Sequence, residues 1–149
     1  MVTNPINPLI DPPCGTIVYR IILRKDWIDP DDNTKMKAEA FMRRQPKLSE
    51  NGEIEDPMDN DGLSVFDSYR ITPQDCVETS RSCFGLATLH VGTLLDHGLT
   101  VIRDPEDDRK ILITDMPFES PGEANAERLL DTIAETARIA VRCRHKQKN

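Results

Sequence analysis

The sequence predicts an α+β domain: a small, mostly antiparallel sheet with packed helices, closed by a long amphipathic C-terminal helix. Three observations carry this expectation. Residues 16–23 (T-I-V-Y-R-I-I-L) form a β-branched, nearly continuous apolar run, as the middle of a sheet requires. Residues 99–102 and 110–114 flank the polar, proline-containing stretch 104–108 as the two arms of an antiparallel hairpin would. Leu129, Leu130, Ile133, Ala134, Ala137, Ala140 and Val141 recur at helical spacing with charged residues opposite, which predicts a helix over about 121–143.

The other elements follow in order. Residues 1–15 hold four prolines and no hydrophobic period, so they read as an extended arm whose Ile6, Leu9 and Ile10 dock on the domain or on a second chain. Asp29-Pro30-Asp31-Asp32-Asn33 is a turn by composition, and Thr34 can cap a short helix over 35–43 that buries Met36, Ala40 and Phe41. Residues 45–60 lose the period and become strongly acidic, which predicts a solvated loop. Residues 62–66 predict a second strand, with Leu63 and Val65 on one face and Ser64 and Phe66 on the other. Thr72-Pro73 opens a helix to about Ser80, with Thr72 as N-cap and Pro73 at its first position. Residues 84–91 fit a strand or a helix, and a short helix after them ends at Gly98. Ser120-Pro121-Gly122-Glu123 has the spacing of a capping box for the last helix. The domain therefore spans 16–143, between the arm at 1–15 and a basic tail at 144–149.

Composition narrows the function classes. At 149 residues the chain can bury a core without staples, and its 38% hydrophobic content is lean but globular. A net charge of −7 repels polyanions on average, so nucleic acid is not the expected partner. The basic cluster Arg138, Arg142, Arg144, His145, Lys146 and Lys148 suits the negative end of a closing helix. No basic-then-apolar leader and no membrane-length apolar run is present, so a cytoplasmic protein is expected. Cys14, Cys76, Cys83 and Cys143 are scattered without a C-x-x-C pair, and thiols are their expected state.

Candidate chemistry is sparse. Asp59-Asn60-Asp61-Gly62 resembles part of a calcium loop, yet Pro57 and Ser68 would occupy the first and twelfth ligand positions. His90 lies inside an apolar run and reads as a hydrogen-bonded core residue; a zinc set of Cys76, Cys83 and His90 has no economical spacing. No nucleophile elbow, phosphate-binding loop or zinc-protease motif occurs, and the sequence predicts no cofactor and no metal. The most informative polar residue is Arg20, set inside the first strand, where burial demands a partner. It either turns outward or pairs with an acid such as Asp67, or else it joins Tyr19 and Ser64 on one sheet face to bind an anion.

Val18-Tyr19-Arg20, Trp27, Ala40-Phe41-Met42-Arg43, Asp61-Gly62-Leu63-Ser64-Val65, Gly98-Leu99 with Val101 and Asp104-Pro105, and Ile111-Leu112-Ile113 together resemble a family of short bacterial proteins with no assigned activity. The likeness covers about residues 17–117 and implies a compact bacterial domain. Such proteins often carry a histidine before the last short strand, where this chain has Lys110. A looser likeness to ADP-ribosyltransferase-like folds would map Arg20 and Ser64 into a site, with Glu119 or Glu123 as its acid. Two function classes follow. One is a protein-binding accessory or regulatory protein of a bacterial gene cluster, of defence or toxin–antitoxin type, self-associating through its arm. The other is a small ADP-ribosyltransferase-like or nuclease-like enzyme. The ligand-binding candidates are Tyr19, Arg20, Ser64 and His90.

Overall fold

A computed structural model describes residues 11–118 and 124–143. In chain order the elements are β1 (Ile17–Ile21), β2 (Lys47–Leu48), β3 (Ile54–Asp56), β4 (Leu63–Asp67), α1 (Pro73–Glu78), β5 (Gly85–His90), α2 (Val91–Asp96), β6 (Val101–Arg103), β7 (Lys110–Ile113), α3 (Ala124–Thr136) and β8 (Arg138–Arg142). Two 3-10 turns, Lys25–Trp27 and Ala38–Phe41, lie between β1 and β2. Six strands make one antiparallel sheet in the order β6-β7-β4-β1-β5-β8, and β2 with β3 forms a separate hairpin.

The apolar run at 17–21 takes the interior of the sheet, as its composition requires, between β4 and β5. Both neighbours run antiparallel to β1 and so parallel to each other, which forces their connection to cross the sheet. That crossing carries α1 over one face, where Ile71 and Cys76 pack with Ile21, Phe66, Cys83 and Leu86. The opposite face holds the larger core. Val18, Ile22, Leu63, Val65, Leu89, Ile111 and Ile113 pack there against Phe41, Leu94, Leu130 and Ile133. The expected division of β4 holds, with Leu63 and Val65 facing the larger core.

Local signals work where they are chemically specific. Thr72 Oγ1 accepts from Asp75 N at 3.1 Å and Pro73 takes the first helical position. Gly98, at φ +81°, ends α2 with its N–H on Leu95 O. Residues 84–91 resolve into the strand β5 followed directly by α2.

Several expectations are corrected or fall outside the described residues. The closing helix is 13 residues, ends at Thr136, and is followed by the edge strand β8. Arg138-Ile139-Ala140-Val141-Arg142 alternates at period two, with Ile139 and Val141 half-buried between exposed neighbours; that strand pattern coincides with the tail of the helical stripe. Arg138 also donates to Glu135 O and Ala137 O, satisfying carbonyls that a continuing helix would use. The segment 35–43 makes only the turn at Ala38–Phe41, although Met36, Ala40 and Phe41 are buried as expected. Thr34 caps nothing there, because its N–H and hydroxyl both bond Asp32. The acidic segment 45–60 is not a plain loop: β2 and β3 pair within it, turning at Ser49–Gly52. Of the arm, Pro12 is buried, Asp11 pairs with Arg103 and Cys14 O accepts from Gly92 N, so its described end lies on the domain. Residues 1–10, the capping box at 120–123 with Glu119, and the tail at 144–149 lie outside the described residues. Among those described, no helix is long and apolar enough to cross a membrane.

Candidate anion-binding cleft

The site begins as a defect in the sheet. β1 pairs with β5 along its whole length, and β4 pairs with β7 from Leu63 to Phe66. Between β1 and β4, however, only Val18↔Asp67 and Tyr19↔Phe66 are paired. Beyond Tyr19 the two strands part, and backbone groups there need other partners. Arg20 occupies the opening. It is 4% exposed, donates from Nε to Ala40 O at 2.8 Å and from Nη1 to Ser64 O at 3.3 Å, and lies 5.2 Å from the Trp27 ring centroid.

Neither simple expectation for Arg20 holds. It does not turn outward, and Asp67 is engaged instead by Arg103 at 2.6 Å and Arg70 at 3.7 Å. Among the described residues no carboxylate makes an ion pair with Arg20, and its Nη2 makes no hydrogen bond. Burial pushes the guanidinium down to about 10, with Asp59 offsetting part of that effect; it stays charged at neutral pH.

Two hollows meet at this guanidinium. One, of about 310 Å³, is lined by Arg20, Arg44, Ser64, Thr79, Arg109 and Lys110. The other, of about 280 Å³, lies on the Trp27 side and shares Arg20 and Arg44. Three of the cations around them are neutralised locally. Arg44 grips Asp59 through Nε at 3.0 Å and Nη2 at 3.1 Å, Arg109 holds Asp107 at 3.0 Å, and Arg24 holds Asp26 at 2.9 Å. Lys110 is different. Its ammonium sits 5.5 Å from the Phe66 ring centroid, with no ion pair to a described carboxylate. The Ser64 hydroxyl likewise makes no hydrogen bond to a described residue. The cleft thus carries two cations without an ion pair, and a hydroxyl without a hydrogen bond, among the described residues.

Arg20 and Ser64 line one hollow, but their contact runs through the Ser64 carbonyl, and the Ser64 side chain shares its sheet face with Phe66 rather than with Arg20; the other two candidates line neither hollow. Tyr19 is the next residue of an alternating strand, so it points away from Arg20, packs beside Phe66 and Leu86, and lines neither hollow. His90 is exposed rather than buried: the apolar run around it is two elements, and His90 ends β5 where the chain turns into α2. Cys76 and Cys83 cluster beside Leu86, toward the other end of β5, so the Cys76/Cys83/His90 set does not assemble. No group of three metal-ligating side chains occurs among the described residues.

Comparison with protein-family models, with curated proteins and with solved structures returns no match. The chemistry of the cleft therefore rests on its own residues. Arg44, Arg109 and Lys110 were not singled out from sequence as ligand groups. Arg44 follows Arg43 directly, and that doubled arginine just after the buried Ala40 and Phe41 was the available signal. The two arginines have separate tasks. Arg43 is 9% exposed and donates to the carbonyls of Asp59, Asn60 and Thr114 while stacking 4.0 Å from the Phe118 ring centroid. It staples three segments, and Arg44 then meets the Asp59 that the staple positions.

Proposed function

We propose that this domain is a protein-binding module that draws an anionic group of its partner, a carboxylate or a phosphate, into the opening between β1 and β4. One observation carries this reading: Arg20 is almost fully buried, unpaired by any described carboxylate, and keeps an uncommitted Nη2 at the wall of a hollow. A buried cation without a counter-ion costs stability, and an incoming anion removes that cost while accepting a charge-assisted hydrogen bond. Lys110 and the Ser64 hydroxyl supply the second charge and a further donor.

A contact for the rest of a protein partner stands beside the cleft. The β2–β3 hairpin leaves the domain after Arg44, which lines both hollows, and returns before Asp59, which Arg44 holds. It carries Leu48 and Ile54, which pair across the strands and are 58% and 55% exposed. A two-stranded hairpin gains little stability by itself, so an exposed apolar pair on it is better explained by a covering surface. The ADP-ribosyltransferase-like or nuclease-like reading would need Ser64 or a neighbour to be activated. Asp107 and Asp26, which line the two hollows, are each held by an arginine, so binding is the chemistry these residues favour.

Calorimetric titration with inorganic phosphate and with acetate, at constant ionic strength, tests the reading. Saturable binding that weakens at least tenfold in Lys110→Met supports it. Binding unchanged in that variant, or none at tens of millimolar, overturns it.

A further inference from the structure

Independently of the cleft, we infer that Cys83 and Cys143 form a modification site, a thiol pair that takes up a small disulfide of the glutathione class and closes to an internal disulfide. The carrying observation is their contact. The two Sγ atoms lie 3.7 Å apart, one in the loop before β5 and the other just past β8. The strands themselves hold the pair together: Gly85 is in register with Arg142, and Cys143 N donates to Phe84 O at 3.1 Å. A disulfide needs about 2 Å between the sulfurs, so closure asks for about 1.7 Å of approach at the edge of the sheet.

Exposure divides the two roles. Cys143 is half-buried and reachable, whereas Cys83 is 2% exposed. Arg142 and Arg144 flank Cys143 in the sequence, and their charge attracts an anionic tripeptide disulfide. The Cys143 thiol loses its proton, and its sulfur attacks one sulfur of the reagent. The reagent's S–S bond breaks, one tripeptide thiolate leaves and takes up a proton, and a mixed disulfide remains on Cys143. Cys83 then gives up its proton and attacks the Cys143 sulfur, expelling the second tripeptide thiol. Two electrons pass from protein to reagent: two protein thiols and one small disulfide become one protein disulfide and two small thiols.

The remaining thiols supply the contrast. Cys76 belongs to the same apolar cluster, but it is fully buried, and burial pushes it up to about 12, which keeps it an unreactive thiol. Cys14 is exposed and touches no other described thiol, so it can accept a mixed disulfide but not resolve one.

The test incubates the full chain with glutathione disulfide, digests it without reduction, and maps the products by mass spectrometry. The expected product is a peptide pair joined through Cys83 and Cys143, with a rise in Tm of about 5–10 °C that dithiothreitol reverses. Cys83→Ala should instead retain a stable tripeptide adduct on Cys143, and Cys14→Ser should leave the link unchanged. A wild-type chain whose Cys143 adduct persists without linking, or which reacts only at Cys14, overturns the inference without recourse to any variant.

Discussion

Replacing Arg20 by methionine separates a residue kept for binding from one kept for stability. The lowering of its pKa from the ordinary guanidinium value to about 10 corresponds to roughly 3 kcal/mol spent on holding the charge inside the protein. Methionine removes that penalty at similar length. Against it stand the hydrogen bonds to Ala40 O and Ser64 O, worth about 1 kcal/mol each, and the Trp27 contact, worth about 0.5–1 kcal/mol. The two sides nearly cancel, so Arg20→Met should alter unfolding free energy by no more than about 1 kcal/mol, a few degrees in Tm. Phosphate binding should be lost. Arg20 adds no pH dependence near neutrality, because it is charged in both states. Above about pH 10 the folded chain releases the proton first, so stability relative to the unfolded chain rises there, and the variant should lack that rise. Urea melts followed by far-ultraviolet circular dichroism measure the stability; Trp27 fluorescence is unsuitable because it senses the substituted contact. A loss of about 4 kcal/mol or more would make Arg20 a structural staple and refute the reasoning.

Three further outcomes are expected. Arg43→Met strips the donors from three carbonyls on two separate segments and should cost about 3–5 kcal/mol, lowering Tm by roughly 10 °C in a calorimetric scan. Gly85→Ala should destabilise by about 2–4 kcal/mol in the same urea assay: a Cβ there would lie 2.2 Å from Val141 O, on a residue held at φ +150°. Asp11 is held below the usual carboxylate range, chiefly by its hydrogen bond to Arg103. Its contribution is therefore present above about pH 4 and lost as pH falls through its lowered folded value. The side chain is 51% exposed, so Asp11→Asn should cost less than about 1 kcal/mol at neutral pH and flatten the acid limb of a pH–stability curve.

The sequence made the interior strand, the β6–β7 hairpin and the caps of α1 and α2 legible because each has a local cause. A β-branched run, a polar proline turn, Thr-Pro and a terminal glycine act through bonds only a few residues apart. The end of α3 was illegible for a physical reason. Ala137, Ala140 and Val141 satisfy a helical stripe and Ile139 and Val141 a strand, so only pairing with β5 decides between them. His90 was misread because burial depends on where a strand ends in space, which hydropathy along the chain does not give. Arg20 stood out as a charge inside an apolar run, but its bonds go to the backbone carbonyls of Ala40 and Ser64, which no side-chain pattern announces. Lys110 and Arg44 were not, because they reach the cleft through contacts more than 40 and 20 residues away from Ser64 and Arg20 respectively.

The central claim is that the Arg20 guanidinium is a receptor for an anion. Its side-chain N–H resonances, followed by nitrogen-15 NMR during titration with inorganic phosphate at fixed ionic strength, test this most directly. The account expects the Arg20 resonances to shift saturably, with the buried Arg43 resonances unmoved. Shifts confined to exposed arginines, with Arg20 unchanged at saturating phosphate, would contradict it.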